Sequence, residues 1–253
     1  FPAKKMLRFK LTIAYDGTRY FGWQVQKGRM TVQQRLEEAL RELFPSVKRV
    51  HSSSRTDTGV HAMGMVAHVD IPEAECRMDA RKLLLAVNSF LPVDVRIVAA
   101  RRVPEDFHAR FDAKGKRYFY LIWNHAAMNP LLHNRAWHVK VPLNLERMQK
   151  AAKLFVGRKD FKSFASTREY EMESTVRRLT RCDVRKEGYT WKITIEGDGF
   201  LYKMCRGIVG TLVRVGQGEL TQTEIRQIFR ERDRSVAGMN APACGLTLWR
   251  VFY

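Results

Sequence analysis

The sequence predicts an α+β protein made of two similar halves, each with an antiparallel sheet flanked by helices. Three observations predict it. Strand-period and helix-period runs interleave without strict βαβ alternation, which favours antiparallel sheets. The order of elements restarts after a stretch of weak periodicity between Pro104 and Gly115, so the halves are drawn at residues 1–105 and 106–253. The chain has 253 residues, and at about 150 residues per domain that is one large domain or two small ones.

In the first half, Leu7, Phe9, Leu11, Ile13 and Tyr15 alternate at strand period and end at the turn signal Asp16-Gly17. Thr31 with Gln34 resembles a capping box, and Val32, Leu36, Ala39, Leu40 and Leu43 then form a helical stripe that Pro45 stops. Val66 to Asp70 reads as a short strand bounded by Pro72, Asp79 to Phe90 as a helix, and Val93 to Val103 as a strand. In the second half, Arg117 to Trp123 (RYFYLIW) is strand-like, and Leu145 to Phe155 is helical up to Gly157. Arg177 to Val184 and Tyr189 to Glu196 form a hairpin around Glu187-Gly188. Phe200 to Val215 is a helix closed by Gly216, and Thr221 with Glu224 caps another that runs to Arg230. Leu246 to Phe252 is a terminal strand.

Charge speaks to partners. Forty-five Lys and Arg against 26 Asp and Glu give a net charge of +19, so polyanions, and nucleic acid first among them, are the expected partners. With 45% hydrophobic residues the chain is not a disordered basic tail. No window approaches the ~18 consecutive apolar residues of a membrane helix. The opening FPAKKMLRFK has no apolar h-region, so no secretory signal is expected. Cys76, Cys182, Cys205 and Cys244 are scattered without a CxxC pair; they read as small core residues in a reducing compartment.

The densest polar cluster is Ser52-Ser53-Ser54-Arg55-Thr56-Asp57-Thr58-Gly59-Val60-His61-Ala62. As residues alone, it fits an ordinary turn with an Asx motif at Asp57 and a positive φ at Gly59. The alternative is a chemistry-bearing loop at a strand end, towards which the alternation that sets the Arg55 cation beside the Asp57 carboxylate shifts the reading. His61 and His68 lack metal-ligand spacing and a third partner, so no metal site is expected.

SRTDTGVHA (residues 54–62) resembles the RTDxGVHA box of the TruA family of tRNA pseudouridine synthases. The resemblance extends along the chain. Ala14-Tyr15-Asp16-Gly17-Thr18 with Phe21-Gly22-Trp23-Gln24 is similar to YDGxxYxGWQ, and Thr31-Val32-Gln33 to (S/T)VQ. Residues 106–111 match DFHARF, 117–120 match RxYxY, and 160–164 match DFxSF. Residues 204–210 resemble MVRNIVG, and 241–246 match APAxGL. One box is weak; eight in order are specific. The departures are Cys205 for valine, Gly207 for asparagine and Phe21 for tyrosine. Gly207 inside a helix either allows close packing or removes an RNA contact.

The resemblance implies the pseudouridine synthase fold with a central basic cleft, and isomerisation of uridine to pseudouridine without cofactor or metal. It implies Asp57 as the essential carboxylate, which can stabilise charge at the sugar, attack, or take a sugar proton. It implies Arg206 as a buried partner of Asp57, and Tyr118 as the ring stacked near the uracil. Leu246 is the implied apolar wall of the uracil pocket, and Arg55 the arginine that assists base flipping. Tyr120 reads as core. His61 positions the loop or touches phosphate, and a structural histidine is an equal reading. The family also implies tRNA uridines 38 to 40 of the anticodon stem-loop as targets, a homodimer, and a cytoplasmic setting, with an organelle left open. The clusters Lys114-Lys116-Arg117, Arg177-Arg178-Arg181, Arg185-Lys186 and Arg226-Arg230-Arg232-Arg234 would hold the RNA through phosphates and shape. The rival reading is a non-catalytic RNA-binding or RNA-chaperone protein, which would not need the Asp57, Tyr118, Arg206 set.

Overall fold

A computed structural model describes residues 5–166 and 174–253, so residues 1–4 of the amino-terminal stretch lie outside it. The chain divides into two compact units, Phe1–Lys114 with Leu248–Tyr253, and Gly115–Thr247. Both are α+β.

The first unit opens with β1 (Met6–Tyr15), whose side chains are buried at every second position, as the alternation requires. Helix α1 (Val32–Leu43) starts at Thr31, whose side chain accepts from the Gln34 amide at 3.4 Å. Gln34 spends its own amide group on Glu38. After β2 (Val50–Ser52) comes β3 (His61–Pro72), then α2 (Ala80–Phe90), capped by Asp79, and β4 (Val95–Val103). Strand β1 lies between β4 and β3, antiparallel to both, and β2 pairs antiparallel with β3. Helix α2 packs on β4 and on α1.

Strand β3 begins at His61 rather than near Val66. Its residues are buried on both faces, so the period-two signal that marks a half-exposed strand is absent there.

The second unit holds β5 (Gly115–Asn124), β6 (Trp137–Val139), α3 (Leu145–Ala152), β7 (Gly157–Asp160), β8 (Val176–Glu187) and β9 (Thr190–Gly197). It continues with α4 (Met204–Gln217) and α5 (Gln222–Glu231). The order β5-β9-β8-β7 is antiparallel throughout; β6 departs from the expected antiparallel pattern by joining β5 in parallel. The last strand, β10 (Leu246–Phe252), enters the first unit at Leu248 and neighbours β3.

Helix α4 starts at Met204, four residues later than the apolar run suggests, because Lys203 adopts a left-handed conformation (φ 57°). Gly218 (φ 83°) caps its other end. Gly216 is interior instead; a Cβ there would sit 2.7 Å from the Met148 sulfur of α3. The predicted capping box of α5 is present in both directions between Thr221 and Glu224.

Candidate active site

In the first unit, Asp57 sits half-buried on the loop between β2 and β3. That loop is tied down on nearly every side. Ser53 N–H donates to the Val66 carbonyl (2.8 Å), Trp23 N–H to the Thr56 carbonyl (3.1 Å), and Gly59 N–H to the Tyr20 carbonyl (3.3 Å). Val60 N–H closes a turn onto the Asp57 carbonyl at 3.1 Å. Beneath it, the buried Tyr15 and Thr56 hydroxyls share a hydrogen bond of 2.6 Å. Burial pushes the Tyr15 phenol well up, so it serves as a neutral hydroxyl.

The glycine positions of the segment from Tyr15 to Trp23 explain how it approaches so closely. A Cβ on Gly22 would lie 2.5 Å from the Thr56 carbonyl oxygen, and its φ of +79° also excludes most side chains. On Gly17 it would lie 2.0 Å from the Val60 carbonyl oxygen. Two sequence boxes far apart in the chain are therefore one object: the first is the bed on which the Asp57 loop rests.

His61 is buried at the start of β3, and its Nδ1 lies 3.0 Å from the Gly17 N–H and 3.2 Å from an Asp16 oxygen. The amide contact makes Nδ1 an acceptor, so the histidine braces the same bed. Arg55 is exposed. His68 lies elsewhere in this unit, stacked on His51 (5.0 Å) and edge-on to His108 (4.8 Å). Its Nδ1 accepts the Ala109 N–H at 3.1 Å. Burial first, then the Arg8 guanidinium and the neighbouring imidazoles, lower its pKa to about 4, against a smaller pull from Asp70.

In the second unit, Tyr118, Tyr120 and Ile122 point to the buried face of β5. The Tyr118 ring meets Phe200 edge-on at 5.0 Å. Arg206 belongs to α4, where Arg206, Arg214 and Gln217 are the positions that are not buried. It is half-buried rather than buried. Its Nε donates to the Ala241 carbonyl (2.7 Å), and the Ala241 N–H returns to the Arg206 carbonyl (3.0 Å). Tyr120 hydroxyl donates to the Pro242 carbonyl (2.7 Å), and a Cβ on Gly245 would lie 2.4 Å from the Tyr120 ring. Arg206 and Tyr120 thus fix the segment from Ala241 to Gly245 that delivers the buried Leu246. Gly207 faces the DFxSF segment; a Cβ there would lie 2.2 Å from the Phe164 carbonyl oxygen. Close packing is the structural effect of that departure from asparagine.

Sequence reasoning missed Thr56, Phe200 and the bracing task of Tyr120. Thr56 and Tyr120 were inside recognised boxes, but only the fold reveals which atoms they hold. Among the described residues, no three His, Cys, Asp or Glu side chains gather as metal ligands would, and no helix is long and apolar enough to cross a membrane.

Comparison with known proteins gives the family. The family model described as tRNA pseudouridine synthase matches residues 11–112 and 151–253. A tRNA pseudouridine synthase A of Ruminiclostridium cellulolyticum is 44% identical over 249 residues, covering 98% of this chain and all of that protein. Those of Acetivibrio thermocellus and Brevibacillus brevis are 44% and 43% identical over 248 residues, again 98% of this chain and the whole of each relative. The chain belongs to the tRNA pseudouridine synthases, a family of isomerases.

Proposed function

We propose that the protein converts uridine to pseudouridine at positions 38 to 40 of the anticodon stem-loop of tRNA, with Asp57 as the essential carboxylate. The N1–C1′ bond breaks, the uracil turns, C5 bonds to C1′, N1 gains a proton and C5 loses one. Positive charge develops at the sugar as the first bond breaks. A carboxylate can shield that charge, attack, or take a sugar proton. The observation that carries the reading is the immobilised Asp57 loop: backbone bonds from Trp23, Gly59 and Val60 hold its carbonyl and its neighbours. A mere surface turn has no need of such a bed, whereas a reacting group must be held to within about 0.5 Å.

In this reading Tyr118 offers a ring to the displaced uracil, Leu246 an apolar wall, and Arg206 a positive charge for the carboxylate. Arg55, exposed on the same loop as Asp57, has the freedom to hold a phosphate or fill the space the base leaves. His61 acts by bracing the loop. A homodimer and a cytoplasmic setting complete the reading and rest on the family resemblance. The net charge of +19 supports an RNA substrate held by basic surface.

The test is tritium release from C5-labelled uridine in tRNA. Asp57→Ala should lose release at any enzyme concentration while retaining tRNA affinity. Transcripts with uridines 38, 39 and 40 replaced singly locate the target. Release at the wild-type rate from Asp57→Ala refutes the assignment.

A further inference from the structure

Of the basic clusters in the sequence, the one on α5 lines a cavity of about 670 Å3 together with β7. Arg226, Arg230 and Arg232 come from the helix and its end, and Lys159 from the strand. Phe229 forms an apolar part of the lining. Its ring is packed against Phe155, Phe161 and Phe164 at 4.6 to 5.6 Å, so that part of the wall is rigid. The one carboxylate among the described lining residues, Asp160, is already engaged. Its Oδ2 meets Arg232 at 3.2 Å, and its Oδ1 accepts from Lys162 N–H and the Thr175 hydroxyl. Arg234, the last member of the sequence cluster, donates to the Gly238 carbonyl instead.

Among the described residues, four cations and one spent carboxylate make an unbalanced lining. The negative end of α5 accounts for Arg230 and Arg232 near its C-terminus. It does not account for Arg226 in mid-helix, nor for Lys159 on a separate strand. Arg226 and Arg230 are four apart on one helix face, where like charges repel. Among the described residues, neither makes an ion pair. An arrangement that concentrates repulsion around a concave surface is one that an anion stabilises, and guanidinium groups match phosphate oxygens through paired donors.

We infer that this cavity is a phosphate-binding site for the sugar-phosphate backbone of the tRNA substrate, with Arg226, Arg230 and Lys159, none of which makes an ion pair among the described residues, as its cations. The inference rests on the proposed function and adds an RNA contact outside the residues assigned to chemistry. The site reads no base. It contributes affinity uniformly across tRNAs and disappears with salt.

The experiment measures tRNA affinity by fluorescence anisotropy between 50 and 200 mM salt for wild type, Arg226→Gln/Arg230→Gln and Arg226→Lys/Arg230→Lys. Both positions are exposed, and equal melting temperatures confirm folding. If each arginine meets one phosphate, the slope of log K against log salt should flatten by about 1 per contact, so the double Gln variant loses about 10-fold less affinity over that range. KM for tRNA should rise with kcat at saturation nearly unchanged, as for lost uniform binding. The Lys pair should recover most of the slope. A folded Gln variant with wild-type slope and KM overturns the inference. So does inorganic phosphate raising the melting temperature of wild type alone while the tRNA slope is the same in both, which would mark a free-anion site. A wild type that binds no tRNA overturns the proposed function as well, whereas unchanged slopes with active wild type overturn this inference only.

Discussion

Removing the Tyr15 hydroxyl should unsettle the Asp57 loop from below. The two hydroxyls lie 2.6 Å apart, with Tyr15 and Thr56 exposed by only 5% and 8%. Tyr15→Phe leaves the Thr56 hydroxyl buried without its partner, and a buried polar group stripped of a hydrogen bond costs about 1–3 kcal/mol. Thr56→Val leaves the phenol in the same position, with a similar cost. The double variant buries two apolar groups of similar shape and should be nearly neutral in stability. Two single losses of about 1–3 kcal/mol against a near-neutral double variant predict a coupling of about 2–6 kcal/mol, read by urea denaturation, with each single variant melting roughly 2–12 °C lower. Catalysis should behave differently. Thr56 precedes Asp57 in the chain, and its carbonyl is held by Trp23. Loss of the side-chain tie allows the carboxylate to shift, and a displacement of about 1 Å can cost on the order of 100-fold in rate. All three variants should thus lose kcat in the tritium-release assay, including the double variant that regains stability. Additive stabilities within about 0.5 kcal/mol, or a Tyr15→Phe enzyme with wild-type kcat, would refute the view that this bond holds the loop.

Two further outcomes follow from packing and protonation. Gly207→Asn installs the residue usual in the family against the Phe164 carbonyl, where a Cβ would stand at 2.2 Å; it should destabilise by about 1–3 kcal/mol, seen as a lower urea midpoint. His68 has a folded pKa of about 4, below its ordinary 6.5, so the folded state binds fewer protons between those values. Stability is then complete above pH 6.5 and declines as pH falls towards 4. By pH 5 the loss from this group is about 2 kcal/mol. His68→Asn keeps an acceptor for the Ala109 N–H and does not titrate, so its loss between pH 7.5 and 5 should be smaller by about that amount. Identical pH profiles would assign the acid sensitivity elsewhere, with the nearby His51, His108 and Arg8–Asp70 pair as the next groups to test.

What was legible in the sequence depends on how many neighbours each element has. Strand β1 is buried on alternate residues, and its pattern was readable for that reason. Strand β3 is buried on both faces, so its first turn of sequence from His61 to Met65 carried no strand period and read as loop. Helix α1 and the capping box of α5 announce themselves locally, because the capping atoms are three residues apart. The end of α4 did not: Gly216 and Gly218 are equivalent as letters, and only contact with Met148 separates an interior glycine from a cap. The same limit applies at the site. The boxes named Asp57, Tyr118, Arg206 and Leu246, but not that the Nε of Arg206 holds the Ala241 carbonyl or that Thr56 meets Tyr15.

Those hidden contacts share a logic across the two units. Asp57 lies on a loop and Leu246 directly follows one, and loops are the least rigid parts of a fold. In each unit the loop is held by backbone atoms coming closer than a side chain allows, at Gly22 over Thr56 and at Gly245 against Tyr120. Each is then pinned by one buried hydroxyl, Tyr15 to Thr56 in the first unit and Tyr120 to Pro242 in the second. A loop fixed this way needs few side chains for its own stability, and the Arg55 side chain on it stays exposed. It also concentrates vulnerability. Alanine at Gly22 must displace the Thr56 carbonyl, and the carboxylate one residue later moves with it. Such a substitution should cost far more in kcat than in melting temperature, the reverse of what cavity-forming changes in the apolar core produce.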